Sequence, residues 1–191
     1  MDPQEIDLIH RAQAGDARAF EELVCRYDRR ILQLAHGILG NLPDAYDAYQ
    51  EALVRAYTRL DTFRFESSFG TWFIRIAINQ ALNLRKKLRW KQRLSLDALT
   101  GTKAEPRAVH RASRPDHDVM NEELTQHIQQ SMERLSDRER AVFVLKHMHG
   151  YKIREIAGMI DCAEGTVKNY LFRATRKMRS ALQPYYEDMS V

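Results

Sequence analysis

"KIREIAGMIDCAEGTVKNYLFRATRKM", residues 152–178, is the stretch whose reading decides the fold. Ile153, Ile156, Ala157 and Ile160 recur at helical spacing and predict a short amphipathic helix. "DCAEG" reads as a tight turn, and Asp161 at its start tolerates left-handed backbone. Val167, Leu171, Ala174 and Met178 then make the buried seam of a second helix. Small Ala157 precedes Val167 by ten positions, where two closely crossing helices need little bulk. That is the spacing of a helix-turn-helix. Glu164, Gly165 and Thr166 open the second helix, and its outward face shows Lys168, Asn169, Phe172, Arg173, Arg176 and Lys177. Such a face fits a DNA major groove, with N-terminal residues at base edges and arginines on phosphates. Without DNA, the same pattern is a helical hairpin with a solvated basic face.

Upstream, Met120, Leu124, Ile128, Met132 and Leu135 predict one more helix facing a core. Ser136-Asp137-Arg138-Glu139 fits a capping box, in which a hydroxyl and a carboxylate three residues apart satisfy each other's orphan amides. Ala141, Val142, Leu145 and Met148 follow inward on that helix, and Gly150 ends it. The preceding stretch, residues 94–118, holds two of the five prolines and no Phe, Tyr or Trp. It has too little to build a core and reads as a linker. In the N-terminal part, Ile6, Leu8, Ile9 and Ala12 begin a short helix that stops at Gly15-Asp16. Asp16 caps a second, continuous helix carrying apolar residues from Phe20 to Ile38, and a third runs from about Asp44 to Leu60. No window alternates at period two long enough for a strand. The expected fold is all-α: two small helical domains, residues 1–93 and 120–191, joined by a flexible linker over 94–119.

A second stretch carries chemistry: "TWFIRIAINQALNLRKKLRWKQR", residues 71–93. Ile74, Ala77, Ile78, Ala81 and Leu82 face a core, and Trp72 is expected there too. Arg75, Asn79, Asn83 and Lys86 fall on a different stripe, with Lys87 beside it. The stripe offers amides and cations without acids, suiting exposed base edges and phosphates. The loop before it supplies Phe63, Arg64, Phe65, Ser67, Ser68 and Phe69, aromatics beside hydroxyls that can hold a splayed base. By itself the same stripe also describes the solvated face of a core helix.

Charge and composition narrow the function classes. The net charge is only +4, so the two local basic faces matter more than the total. Two cysteines far apart fit a reducing compartment and no disulfide framework. Residues 1–3 lack a secretion signal's basic start, and no apolar run approaches the roughly 18 residues of a membrane span. A cytoplasmic protein with no direct membrane insertion is expected. His147 and His149 point apart on a helix and have no partner ligand set, so no metal site is expected. No glycine-rich phosphate loop and no nucleophile with its base is present. A non-enzyme without a cofactor is expected.

"DAYDAYQEALVRAYTRLDTFRFESSFGTWFIRIAINQALNLRKK", then a linker, then "LSDRERAVFVLKHMHGYKIREIAGMIDCAEGTVKNYLFRATRKM" closely resembles the bacterial sigma-70 family. The likeness is to its small extracytoplasmic-function group and runs over nearly the whole chain. It implies a subunit that binds core RNA polymerase, through the β′ clamp and β flap, and directs it to promoters. The resemblance places polymerase contacts on Asp47, Gln50, Glu51 and Arg55, with Asp61 nearby. It places the −10 reader and melting element at Phe63, Ser67, Ser68 and Asn79, with Arg75, Asn83, Lys86 and Lys87 on the strand. It places the −35 reader on Glu164, Gly165, Thr166, Lys168, Asn169, Phe172, Arg173 and Arg176. Family members are usually silenced by an anti-sigma factor, often membrane-anchored, so such a partner is implied. The chain departs from many relatives at Tyr46, where Glu is frequent, and at Asn169-Tyr170, where Ser-Arg is frequent. The −35 sequence therefore cannot be borrowed from a relative. The alternative reading is a self-sufficient helix-turn-helix regulator, which has no need of the 71–93 stretch.

Overall fold

The computed structural model describes residues 2–98 and 119–188; most of the expected linker therefore lies outside the described residues. Among the described residues every regular element is helical. The N-terminal unit carries α1 (Pro3–Gln13), α2 (Ala17–Cys25), α3 (Asp28–Leu39), α4 (Leu42–Thr58) and α5 (Phe69–Ala98). The C-terminal unit carries α6 (Val119–Glu133), α7 (Asp137–Phe143), α8 (Ile153–Ile160) and α9 (Glu164–Asp188). A 3-10 turn, Leu60–Thr62, follows α4, and α7 runs on into a π-helical turn over Val144–Met148.

Short polar side chains start these helices where the sequence places them. The Asp16 carboxylate accepts from the Arg18 and Ala19 amides, and Asn41 Oδ1 accepts from the Asp44 amide at 2.8 Å. Both halves of the Ser136–Glu139 capping box form. Gly40 (φ 90°) closes α3, and Asp161 (φ 54°, ψ 63°) closes α8 in the left-handed conformation expected of the turn.

Four expectations change. The single helix expected from Asp16 to Ile38 is two, because the chain breaks at Tyr27 (φ −114°). The break lets the Tyr27 ring lie over Gly70 and Phe69 while its hydroxyl donates to the buried Glu5 carboxylate on α1. A Cβ at Gly70 would collide with that ring. Helix α5 does not stop at residue 93 but continues to Ala98, and α6 begins at Val119. Ile128 and Met148, both expected inward, are 40% and 60% exposed. At Met148 the π-helical turn is the cause: its extra residue per turn carries the following side chains off the expected stripe. On α6, Gln129 and Glu133 face the N-terminal unit instead.

The core is built from Ile9, Leu23, Ile31, Leu34, Ile38, Phe69, Phe73 and Ile78, and continues through Val144, Leu145, Ile156 and Val167 into the C-terminal unit. The two units therefore share a seam. Gly37 on α3 lies against Val144: a Cβ there would come within 2.9 Å of Val144 Cγ1. Around that contact sit two buried guanidiniums. Arg140, 1% exposed, donates from Nε to the Gly37 carbonyl at 2.8 Å and pairs with Glu133. Arg85, 5% exposed, donates to the Ile38 carbonyl at 3.0 Å and pairs with Glu133 and Asp137, each at 3.1 Å. Arg89 also reaches Asp137, at 2.9 Å, and Gln129 donates to the Gly40 carbonyl at 2.7 Å. The carbonyls at the end of α3, which have no intrahelical donors, are thus capped by side chains from α5, α6 and α7.

Candidate nucleic-acid interface

The aromatic loop between the 3-10 turn and α5 is folded on itself. Phe63, Phe65, Phe69 and Trp72 pack ring to ring with centroids 5.0–6.0 Å apart. Phe65 takes left-handed backbone (φ 60°), which points its ring back onto Phe63 and His10. Gln13 fastens the loop from α1, donating to the Leu60 and Phe63 carbonyls. What remains open is a cleft of about 330 Å³ lined by Thr62, Phe63, Arg64, Glu66, Ser67, Trp72 and Arg75. Its floor is aromatic and its rim is polar and charged.

The expected −10 residues divide here. Phe63, Ser67 and Arg75 line the cleft, although Phe63 is only 5% exposed. Ser68 does not line it. Its hydroxyl caps α5, accepting from the Thr71 amide and sharing a hydrogen bond with the Thr71 hydroxyl at 2.8 Å. Asn79 lies one helical turn beyond Arg75, outside the lining. Trp72, expected in the core, is only half-buried and forms part of the cleft wall. Thr62 and Glu66 belong to the wall too; a polar residue in an aromatic loop gives no sequence signal of which way it faces.

From the cleft the stripe of Arg75, Asn79, Asn83, Lys86 and Lys87 runs along the exposed side of α5 for about 18 Å. None of these side chains bonds or pairs with another described residue. Asn83, Lys86 and Lys87 go on to line a second recess, of about 510 Å³, together with Arg89, Trp90, Arg93 and Asp137. Trp90 is 62% exposed there.

In the C-terminal unit, α8 and α9 cross as the helix-turn-helix spacing requires. Val167, Ala174 and Met178 are buried, Leu171 is half-buried, and Glu164, Gly165, Lys168, Asn169, Phe172, Arg173 and Arg176 are exposed. Thr166 is half-buried. The Arg176 guanidinium lies 6.0 Å from the centre of the Phe172 ring, which is 68% exposed. Lys177 is not on the open face. Its amino group binds Glu139 at 2.6 Å within the same unit. Burial pushes the Glu139 carboxyl up, but the Lys177 amine and the Ser136 groups outweigh it and hold it below its ordinary value. Tyr170 is half-buried.

A third exposed surface lies on α4. Asp47, Gln50 and Glu51 are exposed, Glu51 binds half-buried Arg55 at 2.9 Å, and Asp61 stands exposed on the turn that follows. Inward, Ala45, Ala48, Ala52 and Ala56 let α4 press against the core. The outer face is less acidic than its sequence suggests. Tyr46, Val54 and Tyr57 are each at least half exposed and interleave with the acids. Among the described residues there is no group of three or more His, Cys, Asp or Glu placed to hold a metal, and no helix is long and apolar enough to cross a membrane.

Comparison with known proteins agrees with the division into two units. The family profile for sigma-70 region 2 matches residues 23–91, and that for sigma-70 region 4 matches residues 125–178. The chain is 35% identical over 181 residues to the ECF RNA polymerase sigma-E factor of Escherichia coli K12, covering 93% of each chain. It is 34% identical over 186 residues to the RNA polymerase sigma-H factor of Pseudomonas aeruginosa, covering 95% of each. Two solved structures share the fold. One is the sigma factor RpoE in complex with the anti-sigma factor NepR from Bartonella quintana (TM-score 0.64, 22% identity, 87% of this chain and 98% of that one). The other is CnrH in complex with the cytosolic domain of CnrY (TM-score 0.65, 24% identity, 96% and 99%). The chain belongs to the extracytoplasmic-function sigma factors of the sigma-70 family, the transcription-initiation factors of bacterial RNA polymerase.

Proposed function

We propose that the chain docks on core RNA polymerase through the exposed face of α4 and reads a promoter at two places. In this reading α9 enters the major groove at the −35 element, with Lys168 and Asn169 at base edges and Arg173 and Arg176 on phosphates. The cleft beside Trp72 takes one base flipped from the melted −10 strand, and the α5 stripe holds the strand that leads away from it. The observation that carries this reading is the juxtaposition on one helix: an aromatic-floored cleft opens directly onto an unpaired amide and cation stripe. A duplex-only regulator uses neither.

Opening DNA in this way needs no bond chemistry. Unstacking one base costs a few kcal/mol, and stacking in the cleft together with base-edge contacts offsets it. The apolar side chains on α4 fit the same role, because Tyr46, Val54 and Tyr57 give a partner helix something to bury beyond charge complementarity. The chain works in the cytoplasm, its C-terminal unit meets the β flap, and a cognate anti-sigma factor silences it. The last point is supported by the two fold neighbours, whose structures were solved as complexes with such factors or a cytosolic domain.

The test is a footprint with and without core polymerase on promoters found by mapping transcription starts after overexpression. Protection of −35 and reactivity of opened bases near −10 should both require core polymerase. Tight duplex protection by the protein alone, unchanged by polymerase, would establish the self-sufficient regulator instead.

A further inference from the structure

Helix α5 carries a second aromatic group that the reading above leaves without a role. A single exposed apolar side chain needs no explanation. What sets Trp90 apart, at 62% exposed, is its phase on the helix. Trp72 and Trp90 are 18 residues apart. At about 100° per residue that is about five full turns, so both leave α5 on the same side, about 27 Å from each other. Arg75, Asn79, Asn83 and Lys86 lie between them within about 80° of one face, and Arg93 continues that face beyond Trp90. The polar stripe is thus framed by an indole at each end.

The surroundings of Trp90 suit a strand of nucleic acid. The recess beside it holds about 510 Å³, within the range of ligand-binding hollows. Lys86, Lys87 and Arg93 line it, and none of them bonds or pairs with another described residue. The carboxylate in the lining, Asp137, is already held by Arg85 and Arg89, which leaves the three other cations for a ligand. No aromatic ring among the described residues covers the indole. Free cations attract a phosphate backbone, and an uncovered indole gives a base a face to stack on. In a duplex the faces of each base are already taken by its neighbours, and an aromatic side chain reaches them only by unstacking a step. A single strand offers them without that cost.

We propose that Trp90, with Lys86 and Arg93, is a second stacking station for single-stranded DNA, holding a base further along the strand whose flipped base occupies the Trp72 cleft. This rests on the reading of the cleft and stripe given above. At about 3.4 Å per stacked nucleotide, the distance between the indoles corresponds to about eight nucleotides, and to fewer in a stretched strand. The two stations differ in task. The cleft has a polar rim that can choose a base, whereas stacking on an open indole accepts any base, because each has a π-face. Trp90 therefore prolongs the opened state and does not select where the DNA opens.

Trp72 and Trp90 are the two tryptophans of the chain, so Trp72→Phe leaves Trp90 as the sole indole reporter in the full-length protein. A single-stranded oligothymidylate of about 12 nucleotides, long enough to pass both stations, should quench Trp90 fluorescence, and a duplex of the same length should not. In the otherwise unaltered chain, Trp90→Ala should weaken single-strand binding by about 5- to 100-fold, the loss expected for one base–aromatic stack. Trp90→Phe should retain most of the affinity, and Trp90→Leu, apolar but without a stacking face, should behave as Trp90→Ala. Helix content and thermal midpoint should stay unchanged, because the indole stands mostly in water. With core polymerase, open complexes made by Trp90→Ala should decay at least about fivefold faster under heparin challenge, with core affinity and −10 base preference unaltered. Equal quenching by the duplex would make Trp90 a duplex contact and overturn the proposal. An unchanged open-complex lifetime in Trp90→Ala overturns it too, as does full retention of binding by Trp90→Leu. Weaker core binding by Trp90→Ala would assign the indole to the polymerase instead. Quenching that disappears in Trp90→Ala, beside a footprint with no opened bases near −10, would sustain the single-strand station and overturn the cleft reading.

Discussion

Gly70 is where one atom more would do most damage. The Tyr27 ring occupies the space of its missing side chain, and burial with the Glu5 hydrogen bond raises the Tyr27 hydroxyl to about 12, so the phenol stays a donor at any ordinary pH. Gly70→Ala should cost about 1–3 kcal/mol through overpacking, visible as a drop of several degrees in the thermal midpoint. Tyr27→Phe keeps the ring and should cost less, about 1 kcal/mol for the lost hydrogen bond. On α9, Arg173→Ala should weaken −35 duplex binding by about 1 kcal/mol and lower the salt slope by about 1. A titration against salt checks this, and an unchanged slope would remove Arg173 from the phosphates. Residues that act locally are the ones the sequence reveals. The Ser136–Glu139 box and left-handed Asp161 could be read because their partners lie within a few positions. The burial of Arg140 and the pairing of Glu139 with Lys177 could not. Charged side chains in a helical pattern read as solvated, and the Gly37 carbonyl that buries Arg140 is 103 positions away.

Among the elements, α5 carries most of the proposed chemistry. Its apolar stripe and its polar stripe were both legible from spacing, because each obeys the helical period. The direction of Trp72 was not, since a large aromatic at the start of a helix serves a core or a cleft wall equally well. Nor was the capping bond of Ser68, whose hydroxyl accepts from the Thr71 amide. The distinction has a consequence. Asn79→Ala should change base preference within the −10 element, by up to about 1–3 kcal/mol per discriminated base, with polymerase binding intact. Ser68→Ala should cost about 1 kcal/mol of stability through the lost cap and leave base preference unchanged. In vitro transcription on a panel of −10 variants separates the two. The break between α2 and α3 and the π-helical turn after α7 were both hidden, because each interrupts an apolar pattern that continues across it.

At the scale of the whole molecule, composition and spacing gave two all-α units and their order, but not their contact. The seam contributes its own pH dependence. Burial first, and then the Arg30 guanidinium across the contact, hold the half-buried His149 imidazole below its ordinary value of 6.5. A group whose folded value is depressed binds more protons once released, so its contribution to stability is complete above about 6.5. It is lost as the pH falls through the folded value. The thermal midpoint of the chain should therefore fall as the pH is lowered below about 6.5, and His149→Gln should flatten that response. A midpoint with the same pH dependence in both chains would take His149 out of the seam's energetics.

Helix α5 also fixes a phase. At about 100° per residue, Arg85 stands about 240° around the axis from Asn79, so one rod sets the angle between the face that would meet DNA and the face that meets α7. Substitutions between these two positions change what each face carries. A single inserted or deleted residue would swing Arg85 through about 100°, away from Glu133 and Asp137, while leaving the helix intact. The length of this part of the chain is therefore as constrained as its buried positions, Ala81 and Leu82.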